Sequence, residues 1–335
     1  MNMRANLLLL LVMLFSQYVN CVWEVVSLGA AVAASYKYFK CWNECCDDVF
    51  VLQDLEHLNK MFNSQLFGQH IAHEIIMSAL RGHLWNNNPR KALVLSLHGV
   101  PGSGKNYVTH MIAMAFYKNH HKSKYFHFFN GRSDFPQHQN INEYKVKIQD
   151  TITNALRECE KSIFVFDEVD KMPEGLLNVL VPFLEYHSHV MGGKVSTNHA
   201  IFIFLSNTGS RQIVMRLLEL WEQGKKRIET TLLDFERVIA MGAFNEKGGF
   251  HKSDTIEASL IDHYVPFLPM EEQHVMMCVK AAFTERNLQP TKEMMEESMT
   301  LVTYGPPPHF LYSNTGCKRL DQKVAAIAYR SDLKS

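Results

Sequence analysis

The chain has 335 residues, of which 47% are hydrophobic and 20% are charged, a composition typical of a globular protein rather than a disordered one. Its 34 basic and 34 acidic side chains cancel, so the chain lacks the net positive charge typical of nucleic-acid-binding proteins, and we expect no nucleic-acid partner. The length is sufficient for an α/β core and a smaller helical unit.

The first apolar run has the features of a secretory signal. A positively charged start precedes apolar residues 7–15, and this run is too short to span a bilayer. We assign residues 1–21 to a signal peptide without a defined cleavage position, and an uncleaved anchor is the alternative. In both cases the chain enters the secretory pathway.

A second apolar stretch, residues 22–36, is interrupted by Glu24 and falls short of the roughly 20 apolar residues that a spanning helix needs. It either lies in a membrane surface with its apolar side down or packs as a soluble helix on the domain. Three cysteines follow within residues 41–46, and seven cysteines in a secreted chain favour disulfides. The zinc spacing of a second Cys-x-x-Cys or a His pair is absent.

A glycine-rich loop follows the first predicted strand of the globular part. Residues 92–97 are an apolar run within a strand predicted near 92–98, and apolar residues recur at helical spacing over 105–118. In this setting the loop backbone and the helix N-terminus can bind a β-phosphate, while the Lys105 ammonium reaches the β and γ oxygens. The predicted nucleotide-binding residues are Gly99, Gly102, Ser103, Gly104, Lys105 and Asn106.

The last residue of this loop, Asn106, stands where most such loops carry Ser or Thr. Its side-chain carbonyl oxygen can ligate Mg²⁺ or hold a metal-bound water, but it cannot donate a hydrogen bond as a hydroxyl does. We therefore expect nucleotide binding to survive and hydrolysis to be slow.

Two carboxylates, Asp167 and Glu168, lie at the carboxyl end of the strand predicted near residues 162–167. Ligands of open α/β sheets bind at the carboxyl ends of the strands, beside the phosphate loop if the strands are neighbours. Asp167 is therefore predicted to order Mg²⁺, partly through water, and Glu168 to polarise the water that attacks the γ-phosphate. Taken alone, the same residues are also consistent with a solvent-exposed acidic turn after a core strand.

Two further polar residues are candidates for the same site. Asn207 follows the strand predicted over residues 200–206 and could orient the attacking water, although Asn is also simply favoured in such turns. Lys318 lies at the start of an amphipathic stretch near the C-terminus, where its cation would project from a helix. Taken alone, Lys318 would be interpreted as a surface charge.

The remaining elements define two domains. A strand is predicted near residues 124–129, and helices are predicted near 69–83, 144–160, 173–187, 211–223 and 229–240. Alternating strands and helices predict a mostly parallel sheet with helices on both faces, which we assign to residues 51–268. Beyond Pro269 the pattern is helical only, over residues 271–286, 291–302 and 317–329. Residues 269–335 are thus predicted to form a small helical lid.

In this order the motifs resemble those of the AAA+ ATPases, with a phosphate loop, an acidic strand, a sensor Asn and a sensor Lys. The segments Leu66-Phe67-Gly68-Gln69-His70 and Asp167-Glu168-Val169-Asp170-Lys171 are similar to those of the Clp branch. Within that branch the chain resembles the torsins. The segments that carry this resemblance are Gly-Lys-Asn at 104–106, Phe-Leu-Ser-Asn at 204–207, Val-Pro-Phe-Leu-Pro at 265–269 and Gly-Cys-Lys at 316–318.

The torsin resemblance implies an ATPase with ATP and Mg²⁺ as cofactors, located in the endoplasmic reticulum lumen and perinuclear space. It favours membrane association for the Cys-containing segment of residues 22–50. It gives catalytic roles to Glu168, Asn207 and Lys318, and metal binding to Asp167 and Asn106. It also implies a disulfide between Cys278 and Cys317, although the residues alone are equally consistent with a buried free thiol at Cys278.

The resemblance further implies that a partner completes the site. Torsins lack the trans-acting arginine, which membrane-anchored activators of the lamina-associated type supply by joining a homo- or hetero-oligomeric ring. Residues 259–264, where Clp proteins carry that arginine, contain none here. Such an arginine accounts for a factor of about 10³ to 10⁵ in turnover. We expect partner-activated remodelling of protein or membrane assemblies, and a nucleotide-gated binding protein with little turnover is the alternative.

Overall fold

The structure is a computed structural model that describes residues 44–186, 195–254 and 259–332. The described residues from Asp48 onward belong to one compact unit. The predicted signal peptide and most of the predicted membrane-associating segment, residues 1–43, lie outside the described residues. No helix in the described ranges is both long enough and apolar enough to cross a membrane.

A five-stranded parallel sheet forms the centre of this unit. In chain order the strands are β1 (Leu93–Gly99), β2 (Phe126–Asn130), β3 (Ile163–Asp167), β4 (Ile201–Ser206) and β5 (His263–Phe267). Their spatial order is β2-β3-β4-β1-β5, and every neighbouring pair is parallel. The phosphate-loop strand β1 and the acidic strand β3 are therefore not direct neighbours, because β4 lies between them. All three strands end at the same edge of the sheet.

Helices cover both faces of the sheet, as predicted. The helices of this part are α1 (Leu55–Gln65), α2 (His70–Trp85), α3 (Lys105–Phe116), α4 (Ile141–Glu158), α5 (Val181–Leu184), α6 (Ser210–Glu222) and α7 (Glu236–Asn245). Successive side chains of a strand point to opposite faces. Ile201 and Ile203 accordingly join the core beneath α1 to α3, whereas Phe202 and Phe204 join the core beneath α4. The central strands are buried along their length for this reason.

Two predicted helices were too long. In place of the helix predicted over residues 173–187, the described residues 173–186 contain a 3₁₀ turn, Leu177–Leu180, and the short helix α5. Pro182 lies in the first turn of α5, where its missing N–H group is tolerated, but it could not continue a helix that began at residue 173. The helix predicted from residue 229 begins at Glu236, because a 3₁₀ turn over Leu232–Asp234 comes first.

In the large domain, the helix α1 and the strand β5 were not predicted. Only Leu58, Met61 and Phe62 of α1 are buried, so its apolar pattern is weak; Asp54 caps its first turn by accepting from the His57 N–H. The strand β5 contains Pro266, which normally argues against a strand. Proline is tolerated here because β5 is an edge strand.

The C-terminal residues form a helical subdomain with its own core. Its helices are α8 (Glu272–Thr284), α9 (Lys292–Thr300) and α10 (Leu320–Asp332). Val275 and Phe283 of α8 meet Val324 and Ile327 of α10, and Met295 and Met299 of α9 pack against this core. A two-stranded antiparallel pair, β6 (Tyr304–Gly305) and β7 (Tyr312–Ser313), interrupts the otherwise helical pattern. We refer to residues 270–332 as the lid.

Candidate functional site

One cavity of about 640 Å³ lies between the carboxyl edge of the sheet, the glycine-rich loop and the lid. Its lining includes the predicted site residues Gly102, Ser103, Gly104, Lys105, Asn106, Asp167, Glu168, Asn207, Cys278, Cys317 and Lys318. Of the predicted residues, Gly99 alone is outside the lining, although its carbonyl oxygen accepts a hydrogen bond from the Lys105 ammonium. The fold thus brings together residues that are up to about 220 positions apart in the chain.

The glycine-rich loop is held against the lid. Gly102 has φ +81° and Gly104 has φ +108°, backbone conformations that residues with a Cβ rarely adopt. A Cβ on Gly102 would collide with the carbonyl oxygen of Thr315. The Gly102 carbonyl oxygen in turn accepts a hydrogen bond of 3.2 Å from the N–H of Cys317. The loop conformation and the position of the lid segment are therefore coupled.

Lys105 places a buried positive charge at the base of the cavity. Its ammonium donates to the carbonyl oxygens of Gly99 and Val100 and, at 3.1 Å, to Oδ1 of Asn207. Burial lowers the pKa of Lys105 to about 8; the nearby Asp167 and Asp170 oppose this shift. A cation that has lost most of its hydration is well suited to bind an anion that enters the cavity.

Asn106 contacts Asp167 through its amide nitrogen. Nδ2 of Asn106 donates to Oδ2 of Asp167 at 2.7 Å, and Nδ2 of Asn130 approaches the same oxygen at 3.4 Å. The backbone N–H of Glu168 donates to the other oxygen, Oδ1, at 2.8 Å. The carbonyl oxygen of Asn106, predicted as a Mg²⁺ ligand, is therefore not the atom that contacts Asp167. Both oxygens of this carboxylate already accept hydrogen bonds.

Glu168 has a strained backbone and a cationic neighbour. Its φ of +51° is uncommon for a residue with a side chain, and such strained conformations cluster at functional sites. Its Oε2 lies 2.8 Å from Nε of Arg132, which also lines the cavity. Arg132 was missed in the sequence, although it follows the end of β2 by two residues and so lies at the same sheet edge as the predicted acids.

Asn207 is fixed by a second residue that was missed. Oδ1 of Asp170 accepts from the backbone N–H of Asn207 at 3.1 Å and from its Nδ2 at 3.3 Å. Oδ1 of Asn207 accepts from Lys105. The carboxamide is thereby oriented from both ends. Asp170 belongs to the acidic motif of residues 167–171, but nothing in that motif indicates a contact with the strand that follows in the chain.

The lid provides an apolar wall and a second cation. Met270, Ala281, Ala282 and Leu320 of the lid line the cavity on this side, together with Leu66 and Phe67, which precede α2. Such a wall suits a flat heteroaromatic base. Cys278 on α8 and Cys317 are joined by a disulfide of 2.08 Å, so the pairing that the resemblance implies is present in the structure. The adjacent Lys318 lines the cavity and is near enough to Lys105 to lower its pKa.

Gln69 connects the loop to the hinge of the lid. Its Nε2 donates to the carbonyl oxygens of Ser103, at 3.0 Å, and Leu268, at 2.8 Å. Its Oε1 accepts from the backbone N–H of Leu268 at 2.8 Å. Gln69 is buried, so these bonds satisfy an otherwise costly polar group. One side chain therefore joins the start of α2, the glycine-rich loop and the segment that leads into the lid.

Comparisons with known proteins find relatives along most of the chain. A model of the Torsin family matches residues 40–166, and a model of the Torsin-1A C-terminal domain matches residues 270–326. A torsin-like protein of Drosophila melanogaster is 38% identical over 317 residues, which cover 91% of this chain and 93% of the relative. A torsin-like protein of Caenorhabditis elegans is 38% identical over 289 residues, covering 85% of this chain and 81% of the relative.

Among solved structures, Hsp104 has the same fold. The Saccharomyces cerevisiae Hsp104-ADP complex superposes with a TM-score of 0.58 at 19% identity, covering 84% of this chain and 48% of the Hsp104 chain. The Hsp104:casein complex in its extended conformation gives 0.59 at 17% identity, covering 82% and 46%. The chain spans about half the length of these Hsp104 chains, and at such identities the likeness shows the AAA+ fold alone. Because curated torsin-like relatives are 38% identical over most of its length, the chain belongs to the torsin family of AAA+ ATPases.

Proposed function

We propose that the chain binds ATP with Mg²⁺ in the cavity under the lid and hydrolyses it slowly until a partner completes the site. The observation that carries this proposal is the convergence of Lys105, Asp167, Glu168 and Asn207 in one cavity. Phosphoryl transfer needs a phosphate-binding loop together with an acid that orders a metal ion. The cavity supplies both.

In the proposed complex, the adenine base packs against the apolar wall of the lid, and the phosphates lie on the glycine-rich loop. The N-terminus of α3 presents backbone N–H groups to the β-phosphate, and Lys105 contacts the β and γ oxygens. Lys318 approaches the phosphates from the lid side. Lys105 then exchanges its contacts with protein oxygens for contacts with a charged ligand.

The residues fit a Mg²⁺ ion that is shared with the nucleotide. No cluster of three or more His, Cys, Asp or Glu side chains occurs in the described ranges, so the protein does not provide a complete metal cage there. Mg²⁺ usually keeps several waters and binds one or two carboxylates together with substrate phosphates. Asp167 is the carboxylate that would hold it, with Asn106 through water. Bound Mg²⁺ would neutralise charge that develops on the phosphate oxygens.

Hydrolysis requires a base and an oriented water. Glu168 accepts the proton as the water oxygen forms its bond to the γ-phosphorus. The bond between that phosphorus and the β–γ bridging oxygen breaks, and its electron pair leaves with ADP. Asn207, held by Asp170, is positioned to orient the water.

The activation and location of the chain are proposed from the sequence and the family. Residues 259–264 contain no arginine, so we assign the missing trans arginine to a membrane-anchored activator of the lamina-associated type in an oligomeric ring. Residues 1–36 support a position in the endoplasmic reticulum lumen and perinuclear space, peripheral on the membrane. In this proposal, ATP hydrolysis drives the remodelling of protein or membrane assemblies.

A second candidate, a nucleotide-gated binding protein with little turnover, is favoured by two contacts. Asn106 donates to the proposed metal ligand Asp167, and Arg132 pairs with the proposed base Glu168. Both contacts would slow hydrolysis without weakening nucleotide binding. In this candidate ATP stabilises the conformer that holds a partner, and hydrolysis only resets it.

The test is ATP binding and steady-state ATP hydrolysis by the purified chain, with and without the lumenal domain of a candidate membrane activator. We expect tight binding, very slow hydrolysis alone and multiple turnovers with the activator. Lys105→Ala should abolish binding, whereas Lys147→Ala on the exposed side of α4 should not. Absence of ATP binding by the native chain would overturn the proposal. Binding without multiple turnovers in the presence of the activator would favour the second candidate.

A further inference from the structure

We propose that His98 is a positioning residue for hydrolysis, a buried imidazole that holds the turn carrying Asn207 and thereby fixes its carboxamide in the cavity. The inference rests on the proposed role of Asn207 in orienting the attacking water. The side chain of His98 is fully buried and does not line the cavity, so it acts on that water only through Asn207.

The ring of His98 is bonded through both of its nitrogens. Its Nδ1 lies 3.0 Å from the carbonyl oxygen of Thr208, and its Nε2 lies 2.7 Å from Oγ of Ser96. A carbonyl oxygen can only accept, so Nδ1 carries the proton and donates. In the neutral ring, Nε2 then accepts from the Ser96 hydroxyl. Burial lowers the pKa of His98 to about 4, so the ring keeps this neutral form near neutral pH.

Thr208 closes a turn around Asn207. The backbone N–H of Thr208 donates to Oγ of Ser206 at 3.1 Å, and the hydroxyl oxygens of these two residues are 2.9 Å apart. Side-chain bonds of this kind fix the chain where a strand ends. The bond from His98 fixes the carbonyl group of the same threonine. Asn207 lies between Ser206 and Thr208, so its backbone direction is set by the residues on either side.

The two strands beside β4 hold Asn207 from opposite sides. β4 lies between β3 and β1, and His98 of β1 is the register partner of Ser206 in β4. Asp170, which follows β3, accepts from the N–H and the side-chain amide of Asn207. His98 is the corresponding support from β1. A misplacement of about 1 Å can lower a rate by up to about 100-fold, so loss of either support should slow hydrolysis.

The packing of the ring can be separated from its hydrogen bonds. The ring centroid of His98 lies 6.2 Å from that of Phe250, in a stacked arrangement, and 5.9 Å from that of Tyr264. A phenylalanine at position 98 would keep these contacts and lose both hydrogen bonds. The Thr208 carbonyl and the Ser96 hydroxyl would then be buried without their present partner.

The experiment measures single-turnover hydrolysis of ATP at several concentrations of protein in excess, which gives the rate at saturation and the half-saturating concentration separately. Two amide variants decide the outcome. The amide nitrogen of His98→Asn can replace Nδ1 as the donor to Thr208, whereas the longer side chain of His98→Gln carries its amide toward Ser96. We expect His98→Asn to stay within about two-fold of the native rate and His98→Gln to be about ten-fold slower, with the half-saturating concentration unchanged in both.

A phenylalanine variant and a matched control extend the test. His98→Phe should also be about ten-fold slower at saturation, because it keeps the ring but not the bond to Thr208. The control is His127→Phe in β2. His127 stacks on Phe164 at 5.0 Å, its Nε2 has no hydrogen-bond partner among the described residues, and it does not line the cavity. It should have the native rate. Equal rates for His98→Asn and His98→Gln would overturn the positioning role, as would a raised half-saturating concentration with an unchanged rate.

An Asn207→Ala background separates this inference from the proposed function. There His98→Gln should cause no further loss, because the histidine acts through Asn207. A ten-fold loss in both backgrounds would overturn the inference. If Asn207→Ala is slow but His98→Gln hydrolyses at the native rate, the inference alone is overturned and the proposed function stands. A native rate in Asn207→Ala itself would overturn the role proposed for Asn207 and this inference together.

Discussion

The side-chain amide of Asn106 donates a hydrogen bond of 2.7 Å to Oδ2 of Asp167, so the last residue of the glycine-rich loop is bound to the acid that ends β3. In the proposed complex the same carboxylate would help to hold Mg²⁺. The protein contact and the metal contact therefore compete for Asp167. This competition gives a structural reason for slow hydrolysis that is independent of the missing arginine.

We expect Asn106→Thr to accelerate ATP hydrolysis by the chain alone by about ten-fold, the effect of about 1.4 kcal/mol. Removal of the amide frees Asp167, and the new hydroxyl can ligate Mg²⁺. Steady-state hydrolysis measured across a Mg²⁺ titration checks the prediction, with Asn154→Thr on the surface of α4 as the control. The half-saturating Mg²⁺ concentration should fall in Asn106→Thr only. An unchanged Mg²⁺ requirement would contradict the competition.

The phosphate loop and the acidic strand could be predicted because their signals are local. The positive-φ glycines, Lys105 and Asp167 lie within short segments whose spacing requires a strand, a turn and a helix. Residues that act across the sheet could not be found in this way. Asp170 contacts Asn207 only because β3 and β4 are neighbours, and no sequence pattern gives the order of the strands.

The same limit explains why the role of Arg132 and the strand β5 were not predicted from the sequence. Arg132 follows a predicted strand, but its meeting with Glu168 depends on the turn that Asn130 and Gly131 form after that strand ends. The strand β5 was missed because Pro266 is unfavourable in a strand unless the strand lies at an edge. In both cases the local sequence is compatible with several conformations, and tertiary contacts select one.

Substitution of Asp170 tests the orientation of Asn207. We expect Asp170→Ala to lower the rate of hydrolysis at saturating ATP by about ten-fold while ATP affinity changes little, because the carboxamide loses the acceptor that fixes it. Asp170→Asn keeps one acceptor oxygen and should lose less activity. Asp150→Ala, on the exposed side of α4, is the matched control. A fall in ATP affinity with an unchanged rate at saturation would contradict a role in orienting water.

The buried ammonium of Lys105 predicts how ATP binding depends on pH. Burial lowers the pKa of Lys105 to about 8 in the folded chain, and only the protonated form attracts phosphate. ATP affinity should therefore be constant below this pKa and fall as pH rises through it, by up to about ten-fold per pH unit. A fluorescent ATP analogue titrated between pH 6.5 and about 9.5 measures this.

The control for that titration is Lys105→Arg, since a guanidinium stays protonated over the whole range. Its affinity for the analogue is expected to be lower but independent of pH. The lowered pKa of Lys105 also affects the stability of the folded native chain. A lysine whose pKa is lower in the folded chain than in the unfolded chain destabilises the fold fully below about pH 8; this penalty shrinks as pH rises from about 8 and is gone above the ordinary lysine pKa of 10.5. If the affinity of Lys105→Arg for the ATP analogue keeps the native pH dependence, a group other than Lys105 causes that dependence.

Alanine substitutions at two glycines with similar backbone angles separate the effect of backbone strain from the effect of a collision with the lid. Gly102 has φ +81° and Gly224 has φ +84°, but a Cβ on Gly224 would meet nothing within 4 Å, whereas one on Gly102 would collide with Thr315. Gly224→Ala should lower the free energy of unfolding by about 1 kcal/mol, from backbone strain alone. Gly102→Ala should lower it by about 2 to 4 kcal/mol, because overpacking adds to the strain. Denaturant unfolding measures both values.

The collision can be relieved only if the lid segment moves away from the loop, so ATP affinity should fall in Gly102→Ala and stay native in Gly224→Ala. Equal losses of stability with unchanged ATP affinity would mean that the loop and the lid are not coupled at this contact.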